Sequence, residues 1–84
     1  MEYKTIEIKF LGKDRKQWKE PCYGEIWQWN TFWLLGCPRC GKVATLNHEV
    51  LVNNFVTIKP SVGCPFCHAH YFIKNSRIEI LSDF

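Results

Sequence analysis

The sequence lacks the features of a membrane protein or a secreted protein. No stretch approaches the ~20 consecutive apolar residues that a helix needs to span a bilayer. The first residues lead directly into an alternating pattern, and not into the apolar segment of a signal peptide. We therefore expect a cytoplasmic protein that does not contact a membrane.

The sequence also lacks a strong charge of one sign and any motif for an organic cofactor. Its formal net charge is +3, which permits a polyanionic partner but does not require one. A chain of 84 residues predicts one domain whose hydrophobic core is small enough to benefit from a bound metal. We predict a single domain, with strands and a basic loop in residues 1–35 and a metal-binding core in residues 36–84.

Two Cys-Pro-x-Cys motifs are the most informative part of the sequence. They place Cys37 with Cys40 and Cys64 with Cys67. Two residues between cysteines let one tight turn aim both sulfur atoms at one point, and two such turns supply the four thiolates of a structural zinc site. The spacer between the motifs is slightly longer than the usual ~15–20 residues, which fits a longer hairpin. The motifs predict one bound Zn²⁺.

Other roles for the cysteines have to be considered. The four could form two disulfides, but that would need an oxidising compartment that nothing in the sequence indicates. They could also be ordinary core residues. The fifth cysteine, Cys22, is distant in sequence from both motifs, and we expect it to be a free thiol outside the metal site.

The remaining patterns predict β-strands. Residues 3–11 alternate between apolar and polar side chains, and Gly12 is expected to end this strand. Strands are also predicted in residues 25–29, 32–35, 42–46 and 55–59, and a hairpin in 70–81 turns at Asn75 and Ser76. Gly41 is expected to adopt positive φ after the first motif. Residues 47–54 fit either a helical turn or a strand.

Four tryptophans are many for so short a chain, and we expect most of them to pack in the core. The charge-rich segment 13–21, read as a loop, places Trp18 among cations. That mixture suits a solvated connector, or a loop that contacts phosphates or bases. The candidate partner-binding residues are Lys16, Trp18, Lys19, Trp27 and Trp29, and Trp33 is a further aromatic candidate.

From Cys37 to Leu81 the chain resembles a zinc ribbon, because two cysteine motifs each lead into a strand of a hairpin. The resemblance implies a small all-β fold, in which one structural zinc holds antiparallel hairpins together. The N-terminal pattern would add one strand to this fold.

A second resemblance covers residues 60–63, Pro-Ser-Val-Gly, and residues 67–73, Cys-His-Ala-His-Tyr-Phe-Ile. These resemble the Pro-Ser-Ile-Gly and Cys-x-Ser-His-Tyr signature of an uncharacterised family found in bacteria and phages. The chain departs from the signature at Ala69 and at Cys64. The resemblance supports a metal site, implies no reaction, and raises His70 as an alternative ligand to Cys64.

An enzyme is not the expected function. A catalytic zinc keeps an open coordination position, and four cysteines close the site. No His-x-Glu motif stands before a Pro-Cys-x-x-Cys run, so a zinc deaminase is not supported.

The sequence predicts a non-catalytic adaptor or regulator that binds a protein partner through an aromatic and basic surface. The alternative is a nucleic-acid-binding zinc ribbon. Its phosphate contacts would come from Lys13, Arg15, Lys16, Lys19, Arg39, Lys42, Lys59, Lys74 and Arg77. The oligomeric state is left open.

Overall fold

A computed structural model describes residues 2–83 as an all-β protein, which confirms the predicted fold class. No helix occurs within those residues, and so none is long and apolar enough to cross a membrane. The strands are β1 (Lys9–Lys13), β2 (Glu25–Trp29), β3 (Phe32–Gly36), β4 (Val43–Leu46), β5 (Glu49–Val52), β6 (Val56–Gly63), β7 (Ala69–Lys74) and β8 (Arg77–Asp83).

The strands form two four-stranded sheets that follow the order of the chain. In the N-terminal sheet, β2, β3 and β4 are antiparallel and β1 pairs in parallel with β2. In the C-terminal sheet, β5 to β8 are all antiparallel neighbours. The predicted hairpin at Asn75 and Ser76 is present. Both residues have positive φ, as a two-residue turn that matches the strand twist requires.

The first strand differs from its prediction. Strand β1 begins only at Lys9 and runs through Gly12, which has a φ of 100° within an irregular register. Residues 4–8 instead bond to other parts of the chain, and Ile8 donates its N–H to Ser76 O at 2.7 Å. A bridge between Glu7 and Arg77 joins this segment to the C-terminal sheet. The alternating pattern is therefore divided between two sheets, and Ile6 is 46% exposed.

The region of residues 47–54, which the sequence left ambiguous, contains strand β5. Its pairing with β6 supplies hydrogen bonds that a local pattern does not reveal. Strand β6 is longer than predicted because it continues from residue 59 to Gly63. Its register shifts between Ile58 and Val62, around Pro60, which has no N–H to donate.

The main core lies between the two sheets. Its buried members are Ile8, Ile26, Leu35, Cys37, Leu46, Val56, Ile58, Val62, Cys64, Ala69, Tyr71, Ile73 and Ile78. Residues adjacent to these in β2 and β3 point to the opposite face of the N-terminal sheet, which we call the outer face. There Cys22, Trp27 and Leu34 form a second buried cluster.

The loop of residues 13–21 covers part of this outer face. The Trp18 ring lies 5.4 Å from the Trp27 ring, centroid to centroid. The Arg15 guanidinium lies 4.7 Å from the Trp27 centroid and 3.9 Å from the Glu25 carboxylate. Apart from Lys13, which is the last residue of β1, the charge-rich segment is thus a loop that packs on the sheet through one tryptophan and one arginine.

Gly36 and Gly63 provide a matched test of the contact between Cys22 and strand β3, because each glycine directly precedes the first cysteine of a motif. A Cβ at Gly36 would overlap the carbonyl oxygen of Cys22, whereas a Cβ at Gly63 would meet no atom within 4 Å. We expect Gly36→Ala to cost about 3 kcal/mol or more in the free energy of unfolding, and Gly63→Ala to change it by less than about 1 kcal/mol. Denaturant unfolding of the metal-loaded proteins measures both. Equal effects would contradict the close contact between Cys22 and β3.

Candidate metal centre

Each cysteine motif forms the tip of a hairpin, and we call the two tips knuckles. The first knuckle (Cys37–Cys40) joins β3 to β4, and the second (Cys64–Cys67) joins β6 to β7. In the first, Gly41 N–H donates to Cys37 O at 2.8 Å, and Gly41 has the predicted positive φ, here 80°. In the second, His68 N–H donates to Cys64 O at 3.0 Å and φ is 63°. Both knuckles therefore use the same turn.

Backbone N–H groups of each knuckle point at its first sulfur. The Cys37 Sγ accepts from the N–H groups of Arg39 and Cys40, both at 3.4 Å. The Cys64 Sγ accepts from the N–H of Cys67 at 3.5 Å. These bonds orient the sulfur atoms and stabilise negative charge on them, as a metal-bound thiolate requires.

The four sulfur atoms converge on one point between the two hairpins. All lie within 4.8 Å of one another, and two of the separations are 3.6 Å for Cys37 to Cys67 and 3.7 Å for Cys40 to Cys64. A tetrahedral ion with metal–sulfur bonds of about 2.3 Å would place its sulfurs about 3.8 Å apart. A disulfide would instead bring two sulfurs to about 2.05 Å, and all four cysteines are free thiols. The arrangement fits a four-coordinate metal ion.

The electrostatics of the cluster also favour a cation. Burial raises the pKa of the Cys37 and Cys40 thiols above the ordinary value. Burial acts in the same direction on Cys64, but N–H donors from Cys67 and Phe66 lower its pKa. Four thiolates at such distances repel one another, so a divalent ion is what allows all four protons to leave.

The metal centre and the hydrophobic core occupy the same place. Cys37 and Cys64 are buried members of the main core, while Cys40 and Cys67 are partly buried against it. Because each sheet contributes one knuckle, an ion bound by the four sulfurs would connect the two sheets directly.

The structure brings Cys64 to the cluster, and not its alternative, His70. The His70 Nε2 instead lies 2.7 Å from the Ser61 Oγ. Ser61 also contacts His48, whose Nε2 lies 2.9 Å from the Ser61 carbonyl oxygen and therefore donates to it. The sequence did not reveal this meeting of two histidines at one serine, because the three residues belong to different parts of the chain.

A small cavity lies beside the metal centre. It measures about 160 Å³, and Cys37, Cys64, His48 and Tyr71 are among the residues that line it. Pockets that bury a small molecule generally measure about 300–1,000 Å³. The cavity is therefore too small for a substrate cleft of ordinary size.

Cys22 lies outside the sulfur cluster but close to the first knuckle. Its N–H donates to Gly41 O at 2.8 Å, and its thiol donates to Lys19 O at 3.2 Å. The side chain is buried, and burial raises its pKa. Cys22 thus connects the loop of residues 13–21 to the first knuckle through its backbone.

The structure buries one of the predicted partner-binding residues and leaves the others exposed. Trp27 is fully buried, so it is unavailable to a partner and its assignment as a contact residue is corrected. Trp18 and Trp29 are 37% and 39% exposed, and Lys16 and Lys19 are exposed beside Trp18.

Sequence reasoning missed Phe32, which is 52% exposed. It pairs with Trp29 across the β2–β3 hairpin. The signal was available in the sequence, because residues that flank a two-residue turn face each other.

Fold and site together define the class of protein. It is a small all-β protein in which four of the five cysteines lie at metal-binding distance on the tips of two hairpins, consistent with a zinc-ribbon-like motif. No protein-family model, curated protein sequence or solved structure matches the chain. The resemblance of residues 60–73 to a bacterial family therefore stays a prediction.

The ligand set can be tested with one pair of variants. We expect about one equivalent of divalent metal in the wild type, loss of metal and of folded structure in Cys64→Ser, and full metal content in His70→Ala. The apparent binding free energy of a structural zinc is on the order of 10–16 kcal/mol, which exceeds the net stability of most small domains. Elemental analysis and circular dichroism measure these outcomes. A His70→Ala protein that loses its metal while Cys64→Ser retains it would show that the ligand set is wrong.

The position of Cys22 generates a separate prediction. Cys22→Ser should keep the full metal content, since its sulfur donates to a backbone carbonyl and lies outside the cluster. Replacing the buried thiol by a hydroxyl should lower the free energy of unfolding by about 1–2 kcal/mol. Metal analysis and denaturant unfolding of the variant are the measurements. Substoichiometric metal in a folded Cys22→Ser protein would contradict the assignment.

Proposed function

We propose that this chain is a zinc-binding, non-catalytic adaptor or regulator that binds a protein partner through an aromatic and basic surface. The observation that carries the proposal is a group of exposed aromatic side chains on the outer face of the N-terminal sheet. Trp18, Trp29 and Phe32 line one hollow there, together with Leu34 and Thr45, and we call it the aromatic hollow.

The identity of the metal follows from the chemistry of the donors. Four thiolates in a tetrahedral arrangement are typical of structural zinc. Four protein ligands leave no coordination position for water or substrate, so this ion would hold the fold together and would not activate a nucleophile. The small cavity beside the site supports the same conclusion.

The aromatic hollow supports a protein partner. Large aromatic side chains that a fold leaves exposed together mark interaction surfaces more often than isolated exposed residues do. Tryptophan is enriched among the residues that contribute most to protein–protein binding. Trp29 and Phe32 lie on a regular hairpin, and Trp18 packs on the buried Trp27, so the three rings have a rigid support.

The distribution of the basic residues argues against nucleic acid as the partner. The predicted phosphate contacts come from the loop of residues 13–21, the first knuckle and the C-terminal sheet. Three of these cations also lie over aromatic rings of the chain itself: Arg15 over Trp27, Arg39 over Tyr3, and Lys42 over Phe66. These contacts give three of the cations a partner within the chain, although a neutral ring does not cancel their charge.

A capture experiment tests the proposal. The wild-type protein, immobilised in its metal-loaded form, should retain a protein from a lysate of the source cells, and nuclease treatment should not change this. Trp29→Ala combined with Phe32→Ala should reduce retention about tenfold or more, because tryptophan is enriched among the minority of interface residues whose truncation costs more than about 1 kcal/mol. Phe55→Ala, which removes an exposed ring from the C-terminal half, should have no effect.

The salt response separates the two candidate functions. A protein interface formed by aromatic side chains should change little in affinity between about 50 and 200 mM salt. Binding through six or more phosphate contacts should weaken about a thousandfold over that range. Retention that is lost on nuclease treatment and falls this steeply with salt would replace the proposed function by the nucleic-acid alternative.

A further inference from the structure

We propose that the aromatic hollow receives one large apolar side chain from an acidic segment of a partner protein. The inference deepens the proposed function and rests on it, since it names the chemistry of the partner for the same surface. Two features of the described residues support it, the size of the hollow and the charge beside it.

The hollow has the size of one or two side chains. It measures about 210 Å³ and is lined by three aromatic rings, Leu34 and Thr45. An apolar cavity of about 150 Å³ holds one benzene molecule, so this hollow admits a leucine or phenylalanine side chain. It is smaller than the roughly 300–1,000 Å³ of pockets that bury an organic cofactor or a drug-sized ligand.

Positive charge lies directly beyond Trp18. This ring also lines a second, shallow depression together with Lys16 and Gln17. Lys16 and Lys19 are both exposed, and within the described residues neither has an ion-pair partner. A segment whose apolar side chain enters the hollow would extend past Trp18 and meet these two cations.

The charged residues near Lys16 and Lys19 also favour an acidic partner. Arg15 already contacts the Glu25 carboxylate and the Trp27 ring, so that carboxylate does not offset the two lysines. Carboxylates that are spaced to face Lys16 and Lys19 would therefore meet two cations that form no ion pair within the described residues, although Asp14 and Glu20 lie on the same loop.

A nucleic acid fits this surface less well than an acidic peptide does. Duplex DNA carries one negative charge about every 1.7 Å along its axis, so its phosphates cannot be placed selectively. The same loop carries Asp14 and Glu20, both exposed, which would repel a regular row of phosphates. A peptide can place its few carboxylates opposite the lysines and away from the acidic residues.

Three synthetic peptides without tryptophan test the inference on the metal-loaded full chain. The first has a central leucine flanked by glutamates, the second has the same leucine flanked by lysines, and the third has alanine between the glutamates. We expect the first to bind at least about tenfold more tightly than the other two, because both the apolar side chain and the carboxylates contribute. Quenching of tryptophan fluorescence and isothermal titration calorimetry measure the affinities.

Variants of the protein locate the binding. Phe32→Ala, and separately Lys16→Glu with Lys19→Glu, should each weaken the first peptide about tenfold or more. Phe72→Ala should leave its affinity unchanged, since this ring is 41% exposed but lies on the C-terminal sheet. Metal content, measured for every variant, shows that a loss of binding does not arise from a loss of fold.

The outcomes that overturn the inference are distinguishable from failure of the proposed function. Equal binding of the glutamate-flanked and lysine-flanked leucine peptides, or no binding of any peptide, would overturn the acidic partner while the capture experiment still tests the surface itself. Association of two copies of the chain that Phe32→Ala abolishes would also overturn it. Tighter binding of single-stranded DNA, with a steep salt response, would overturn both proposals.

Discussion

Four cysteine sulfurs converge between two hairpin tips, and this convergence joins the two halves of the fold. One knuckle belongs to each sheet, so the sulfur cluster is where the two halves of the fold meet. Cys37 and Cys64 are at the same time buried members of the main core. A structural zinc contributes on the order of 10–16 kcal/mol of binding free energy, comparable with or greater than the whole net stability of a small domain. An ion bound by these four sulfurs would therefore make metal binding and core packing depend on each other.

A series of direct contacts connects the first knuckle to the proposed binding surface. The backbone of Cys22 bonds to Gly41, directly after the knuckle, and the thiol of Cys22 bonds to Lys19 at the end of the loop of residues 13–21. That loop crosses the outer face of the N-terminal sheet and places Trp18 on Trp27. The aromatic hollow is thus connected to the metal centre by a short series of direct contacts.

Much of the metal site could be predicted because its geometry is local. Two residues between cysteines specify a tight turn, and the Gly41 position after the first turn requires positive φ for steric reasons that act over a few residues. The hairpin at Asn75 and Ser76 is local in the same sense. Whether His70 is a metal ligand could not be predicted from local sequence, because the answer depends on the position of Ser61, whose Oγ lies within hydrogen-bond distance of the His70 ring.

The all-β class, the paired knuckles and the hairpin turns could be predicted from the sequence, because short-range sterics and the spacing of cysteines are properties of neighbouring residues. Which side chains are buried depends instead on contacts between segments that are distant in sequence. Trp27 and Trp29 are two residues apart and lie on the same face of β2, so the sequence pattern treats them alike, yet one is buried and the other exposed. The difference arises because the loop of residues 13–21 packs Trp18 and Arg15 over Trp27. Residues 4–13 are likewise shared between two sheets by hydrogen bonds to distant segments, which no local pattern encodes.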